Sequence, residues 1–245
     1  MTIRPLFGTV LGLAALAALA QPAGADTTRA RPKAVVELFT SQGCASCPPA
    51  DALLTVLAEK EDVVALAYHV DYWDYVGWED TFGDAAFSDR QRAYAKSWGS
   101  SRIYTPQMVV NGAKAVVGSR HNEVHGALDD ASLPLPVEIA REGDMLRIAI
   151  PPDGGLDDAV VWLVSYIGRA DVRIDSGDNA GKAMVYTQVV TGRQALGMWE
   201  SASGADLKLP LPELLGQGST GVAVIVQQER NGLPGPILGA ASLER

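Results

Sequence analysis

The sequence predicts an α/β domain followed by a mostly antiparallel β-sandwich domain. In the first half of the chain, apolar β-branched runs alternate with helical patterns, as is typical of an α/β domain. After residue 132 the pattern changes to short apolar stretches of period two that turn residues separate, which is typical of antiparallel strands. The chain has 245 residues, 47% hydrophobic and 20% charged, so it can bury a sizeable core in one or two domains.

The first 25 residues have the pattern of a signal peptide. Arg4 supplies a positive charge, residues 6–20 form an apolar Leu/Ala run too short for a bilayer span, and Ala23-Gly24-Ala25 is a small-x-small cleavage site. We therefore predict a mature chain that starts at Asp26 and is periplasmic or secreted, with no membrane insertion after signal removal. The alternative is a membrane anchor.

The charge of the chain limits its partners. The formal net charge is −9 and the sequence pI is about 4.8. Phosphate contacts need clustered Lys and Arg, so we do not expect nucleic acid as a partner. Anionic membrane surfaces are disfavoured for the same reason.

We expect residues 26–132 to form the α/β domain, after a polar leader that ends near Lys33. Pro48 suits the first position of a helix, Gly99 suits the end of a later one, and Asn111-Gly112 is a hairpin turn signal. Ser119 is the expected cap of the last helix. The predicted elements are a strand at 34–40, a helix at 47–60, a strand at 63–70, a helix at 85–98, a strand ending at 110, a strand at 113–117 and a helix at 119–129. Their order is β-α-β-α-β-β-α.

Residues 133–245 are expected to form the β-sandwich without a helix. Turn residues such as Gly143-Asp144 and Asn231-Gly232 separate the apolar stretches. The seven predicted strands are 137–141, 145–150, 159–168, 183–194, 206–209, 222–229 and 237–242. This half contains no recognisable chemical motif.

The two cysteines of the chain, Cys44 and Cys47, lie in the run VVELFTSQGCASCPPAD at residues 35–51. A strand leads into this Cys-x-x-Cys turn and a helix follows it, an arrangement used in thiol–disulfide chemistry. Only a thiolate attacks a disulfide, and the positive end of a helix dipole favours the thiolate. Two intervening residues let the second sulfur resolve a mixed disulfide. The pattern therefore predicts a redox-active disulfide, with an inert disulfide and a metal site as alternatives.

The runs VELFTSQGC and CPPAD, with HVDYWDYVGW, DRQRAYA and YTPQMVVNG further on, resemble the secreted bacterial family called domain of unknown function 1223. The resemblance spans residues 35–112 and implies a thioredoxin-like fold with an added β-rich region, and the predicted element order is also the thioredoxin order. By analogy with thioredoxin-like enzymes, Cys44 is the exposed attacking cysteine and Cys47 the buried resolving one. The same analogy implies a cis bond between Thr105 and Pro106, whose backbone binds an extended substrate beside the dithiol.

Two further residues have open interpretations. Glu37 is a lone acid in an apolar strand, and related enzymes keep a buried carboxylate that relays the proton of the resolving cysteine. Alternatively, Glu37 faces water or pairs with a cation. His69 could join Cys44 and Cys47 in a Cu(I) site, although a structural histidine is the more common case.

We therefore predict an exported thioredoxin-like thiol–disulfide oxidoreductase that needs no cofactor beyond the Cys44–Cys47 disulfide. Its partners would be protein thiols or disulfides and a separate redox partner. The alternative is a non-catalytic periplasmic binding protein or a Cu(I)-binding thioredoxin-like protein. The aromatic residues of segment 71–83 either form a groove for extended chains near the reactive turn or pack as core.

Overall fold

The computed structural model describes residue 1 and residues 27–29, 31–216 and 218–244. The predicted signal peptide, apart from residue 1, and the predicted mature start at Asp26 lie outside these residues. In the first part of the chain the elements are β1 (Thr27–Arg29), β2 (Ala34–Thr40), α1 (Pro48–Ala58), β3 (Val63–His69), a 3-10 helix (Asp74–Val76), α2 (Ala85–Ser97), β4 (Gln107–Val110), β5 (Lys114–Val117) and α3 (His121–Asp129). From β2 to α3 the predicted order of strands and α-helices is observed.

The second part of the chain contains all seven predicted strands. Its elements are β6 (Glu138–Glu142), β7 (Met145–Ile150), β8 (Ala159–Arg173), β9 (Ala183–Trp199), β10 (Ala205–Pro210), α4 (Leu211–Leu214), β11 (Gly221–Arg230) and β12 (Leu233–Glu244). Strands β8 and β9 are longer than predicted because they pair with each other over their whole length, from the pair Ala159 and Trp199 to the pair Arg173 and Ala183.

Three local predictions were wrong. The polar leader contains β1, which pairs antiparallel with β12 at the far end of the sequence. A short helix, α4, follows β10 in the half predicted to have none. Helix α3 begins after Arg120 rather than at Ser119, and no side chain caps it.

The strands of the described residues form one nine-stranded sheet and one three-stranded antiparallel sheet. The order in the large sheet is β1-β12-β11-β8-β9-β3-β2-β4-β5, and the order in the small sheet is β10-β7-β6. Strands β2 and β3 are parallel, whereas β4 is antiparallel to both β2 and β5. The fold is therefore a mixed α/β fold with a large sheet and a small antiparallel sheet.

The large sheet crosses the predicted boundary at residue 133. Strand β9 joins β3 through one parallel pair, Ala67 and Val189, so strands from both halves share one sheet. The small sheet packs against the far part of the large sheet through an apolar cluster that includes Ile139, Ile148, Val161 and Val224. The strands of the second half thus form two layers, but one of the layers continues into the first half.

Strand β2 is the centre of the first half and is covered on both faces. Val36 and Leu38 pack with α1 residues such as Leu54 on one face. Val35 and Phe39 lie on the other face, in a cluster that includes residues of α2. Successive side chains of a strand point to opposite faces, so residue parity in β2 decides whether a side chain meets α1 or α2. No helix in the described part of the chain is long and apolar enough to cross a membrane.

Candidate functional site

Cys44 and Cys47 form a disulfide at the start of α1. Cys47 is the N-cap residue and Pro48 the first helical residue, as the sequence predicts. The turn is held by backbone hydrogen bonds from Cys44 to the Ser41 carbonyl and from Cys47 to the Cys44 carbonyl, at 3.1 and 3.2 Å. The sulfurs therefore lie where the unpaired N–H groups and the dipole of the helix stabilise negative charge.

The segment of Thr105 and Pro106 lies beside this turn. The peptide bond between the two residues is cis, so that prediction is confirmed. The Ser46 hydroxyl lies 3.5 Å from the Thr105 carbonyl oxygen and 3.5 Å from the Cys44 sulfur. The structure thus brings together four of the residues predicted from the sequence: both cysteines, Thr105 and Pro106.

Both cysteines are 0% exposed, which differs from the expected exposure of Cys44. One cover is the aromatic segment. A methyl group added at Gly43 would lie 3.2 Å from both the Cβ of Trp73 and the Cγ2 of Val76, so this segment lies directly on the cysteine turn. The Trp73 indole N–H also donates to the Thr105 hydroxyl at 2.7 Å.

The aromatic segment is therefore neither pure core nor an open groove. Trp73 is partly buried against the cysteine turn, whereas Tyr75 stacks on it from outside and is 82% exposed. Trp78 donates its indole N–H to the side-chain oxygen of Gln42 at 2.8 Å. The segment closes over the site and presents an aromatic ring to solvent.

A second contact with the cysteine turn comes from the C-terminal half of the chain, in which no functional residue is predicted from the sequence. Asn179, in the connection between β8 and β9, donates hydrogen bonds to the carbonyl oxygens of Gln42 and Cys44 at 2.8 and 3.0 Å. No local signal identifies it, because the contact joins positions 135 residues apart.

Glu37 is not brought to the disulfide. It is buried on the face of β2 that meets α2, where Arg90 forms an ion pair with it at 2.7 Å. The Tyr94 hydroxyl also donates to it. This placement matches the alternative interpretation, pairing with a cation. Arg90 is itself buried, and its guanidinium donates to Glu37 and Tyr94.

Asp51 is a buried acid on the disulfide side of the sheet. Its backbone N–H donates to the Cys47 carbonyl at 3.1 Å, so the two residues lie one helical turn apart on the same face of α1. The Thr40 hydroxyl donates to one carboxyl oxygen at 2.7 Å, and the other oxygen is buried without a hydrogen-bond partner among the described residues. Burial raises the pKa of Asp51 to about 7. An acid four residues after Cys47 is a signal that sequence inspection could have used.

His69 lies near Asp51 and is paired with a second acid. Its Nδ1 is 2.8 Å from a carboxyl oxygen of Asp80, and its ring packs edge-on against Tyr186. Burial acts to raise the pKa of Asp80, but His69 and the backbone N–H of Gln42 hold it below its usual value. The Nε2 of His69 is buried and has no hydrogen-bond partner in the described part of the chain.

The structure does not bring His69 together with the two cysteines as a Cu(I) ligand set. Within residues 27–29, 31–216 and 218–244, no three His, Cys, Asp or Glu side chains converge in a way that could hold a metal ion. His69 is instead part of the buried polar cluster with Asp80, and the two sulfurs are joined to each other.

The chain matches the sequence model described as "Protein of unknown function (DUF1223)" over residues 35–227. It is also similar to a protein from Agrobacterium tumefaciens whose X-ray crystal structure is solved, with 36% sequence identity and a TM-score of 0.78. That similarity covers 87% of this chain and 95% of the other chain. None of the curated proteins matches. The match over most of the chain shows that it belongs to the DUF1223 family, which is a family of unknown function.

Proposed function

We propose that the protein is an exported, thioredoxin-like thiol–disulfide oxidoreductase in which Cys44 and Cys47 are the redox group. The observation that carries the proposal is the disulfide at the N-terminus of α1, with Thr105 and Pro106 beside it. The strand order β3-β2-β4-β5, with β3 parallel and β4 antiparallel to β2, supports the thioredoxin-like assignment. A structural role is a weaker explanation, because closing so short a loop contributes only about 2 kcal/mol to stability.

The proposed reaction is a pair of thiol–disulfide exchanges. An incoming thiolate attacks the Cys44 sulfur, the Cys44–Cys47 bond breaks, and a mixed disulfide forms while Cys47 leaves as a thiolate. A second thiolate from the same substrate attacks the mixed disulfide and releases Cys44. The substrate dithiol is oxidised to a disulfide by the loss of two electrons and two protons, and the protein disulfide gains both. The reverse sequence reduces a substrate disulfide.

Asp51 is proposed to take the proton-relay role that was expected of Glu37. It lies one helical turn from Cys47 on the same helix face, and one of its carboxyl oxygens has no hydrogen-bond partner among the residues that the structure describes. A carboxyl group with a pKa of about 7 can accept a proton and return it near neutral pH. Glu37 is engaged with Arg90 on the opposite face of the sheet.

A second function is favoured by one specific observation, the complete burial of both cysteines. A sealed disulfide would be inert, and the protein would then be a binding protein that retains the fold. Under the oxidoreductase proposal, the oxidised resting state is closed and the cover over the cysteine turn moves before exchange.

The test is trapping of the mixed disulfide. In the full-length protein carrying Cys47→Ser, the Cys44 thiolate should attack a disulfide-containing substrate, release one substrate thiolate and accumulate as the mixed disulfide, because the resolving sulfur is absent. The wild-type protein should catalyse reduction of a model protein disulfide by dithiothreitol. Cys44→Ser is the matched control and should do neither. A wild-type disulfide that dithiothreitol reduces only after unfolding, together with no adduct on the Cys47→Ser variant, would overturn the proposal in favour of the inert disulfide.

A further inference from the structure

The connection between β8 and β9 reaches over the cysteine turn from the other half of the chain. Residues 174–182 form a compact turn held by its own backbone bonds, including Gly181 to the Ile174 carbonyl at 2.7 Å and Ile174 to the Lys182 carbonyl at 3.0 Å. Most of its residues are exposed, but Asn179 is only 1% exposed. A rigid turn therefore carries one buried amide into the site.

Every hydrogen-bonding group of this amide faces a complementary partner. The Asn179 side-chain NH₂ donates to the carbonyl oxygens of Gln42 and Cys44, and its oxygen accepts from the Lys182 ammonium at 2.6 Å. A reversed amide would set its NH₂ against an ammonium group and its oxygen against two carbonyl oxygens. Lys182 therefore fixes the orientation in which Asn179 binds the cysteine turn.

The same turn also holds the aromatic segment in place. The Ser176 hydroxyl donates to the Gly77 carbonyl at 2.6 Å. A methyl group added at Gly177 would lie 3.1 Å from the Cβ of Trp78, so the two segments are in close contact. The turn thus binds the cysteine loop directly through Asn179 and braces the cover that Trp73 and Val76 form over Gly43.

We propose that Asn179 is a positioning residue that controls access to the Cys44–Cys47 disulfide, with Lys182 orienting its amide. This inference rests on the proposed function for its biological meaning. An attacking thiolate must approach a sulfur directly, and neither sulfur is reachable in the closed structure. Exchange with a dithiol therefore waits until the cover opens, and the two bonds from Asn179 are among those that break. The β-rich half of the chain acts as a latch on the redox site.

The experiment measures the rate at which dithiothreitol reduces the disulfide in the folded, full-length protein. Acid quenching, alkylation of free thiols and mass spectrometry give the reduced fraction at each time. Asn179→Ala removes both bonds and should accelerate reduction by about tenfold or more, given the usual contribution of two buried hydrogen bonds. Lys182→Met leaves those two bonds in place and loosens only the orientation of the amide, so it should accelerate reduction by about two- to threefold. Asn122→Ala, at an exposed position on α3, is the matched control and should match the wild type.

The outcomes separate this proposal from the proposed function. If dithiothreitol reduces the disulfide faster in Asn179→Ala and Lys182→Met, but the wild type does not turn over a protein substrate, the result supports the latch and contradicts the oxidoreductase proposal. If the wild type turns over a protein substrate but neither variant changes the rate of reduction by dithiothreitol, the result contradicts the latch and supports the oxidoreductase proposal. If Asn179→Ala does not fold, an unchanged rate in folded Lys182→Met overturns the latch. A wild-type disulfide that is reduced as fast as that of an unfolded control also overturns it.

Discussion

Replacing Asp51 with asparagine should change how the stability of the protein depends on pH. In the folded chain, burial raises the pKa of Asp51 from 3.8 to about 7. An acid whose folded pKa is raised binds its proton more tightly in the folded state. Its contribution to stability is therefore fully present below about pH 4 and is lost as the pH rises towards 7.

The size of the effect follows from the two pKa values. At about 1.4 kcal/mol per pH unit, the difference between 3.8 and 7 corresponds to a loss of about 4 kcal/mol between pH 4 and pH 8. The residue is 4% exposed, so solvent screens the effect little. The asparagine side chain would keep an oxygen to accept the Thr40 hydroxyl but would not titrate. The stability of Asp51→Asn relative to wild type should therefore rise by about 4 kcal/mol over that pH range.

Urea unfolding at pH intervals from 4 to 8 measures this difference. The comparison of two chains at each pH removes the contribution of all other titrating groups. Asp129→Asn, at an exposed position on α3, is the control and should follow the wild type throughout. A stability difference between Asp51→Asn and wild type that stays constant within about 1 kcal/mol would refute the reasoning about this carboxyl group.

Three further predictions test individual contacts of the fold. Glu37→Gln should destabilise the protein by about 3 kcal/mol in urea unfolding, because it leaves Arg90 buried without its anion, and the reduction potential of the disulfide should stay unchanged. A shifted potential would contradict the placement of Glu37 on the far face of the sheet. Trp73→Phe keeps an aromatic ring over the turn but loses the hydrogen bond to Thr105. The variant should therefore speed reduction of the disulfide by dithiothreitol a few-fold. A slower reaction would contradict the role of Trp73 as a cover. Gly112→Ala should lower the free energy of unfolding by about 3 kcal/mol. The reason is that φ at Gly112 is +66° and the new methyl group would collide with the Gly235 carbonyl oxygen. An unchanged melting temperature would disprove this contact.

The buried charges show why some site residues could not be assigned from the sequence. Glu37 and Arg90 lie 53 positions apart and are both buried because they neutralise each other. Strand parity alone shows that Glu37 shares a face with Val35 and Phe39, but it does not show which helix covers that face. The analogy with related enzymes therefore selected Glu37, whereas Asp51 and Asp80 are the acids that the described part of the chain buries on the cysteine side of the sheet.

The way in which the two halves of the chain join could not be predicted from the sequence for a similar reason. The change of period after residue 132 correctly locates the seven strands of the second half. It carries no information about which strands of the first half they join. The pairing of Ala67 with Val189 makes one sheet out of two predicted units, and this depends on edges that meet only in three dimensions.

By itself, the sequence determined the order of elements from β2 to α3, the seven later strands, and the cysteine turn at the start of a helix. These features depend on neighbours within a few residues: apolar periodicity, turn residues and helix-start signals. Only the tertiary structure decided that the disulfide is buried, that Asn179 and Trp73 contact the cysteine turn, and that Asp51 and not Glu37 lies on its side of the sheet. Those properties depend on contacts between distant segments of the chain, which local sequence patterns do not encode. Such contacts bury the disulfide and the neighbouring carboxyl group, and burial changes the accessibility of the first and the pKa of the second.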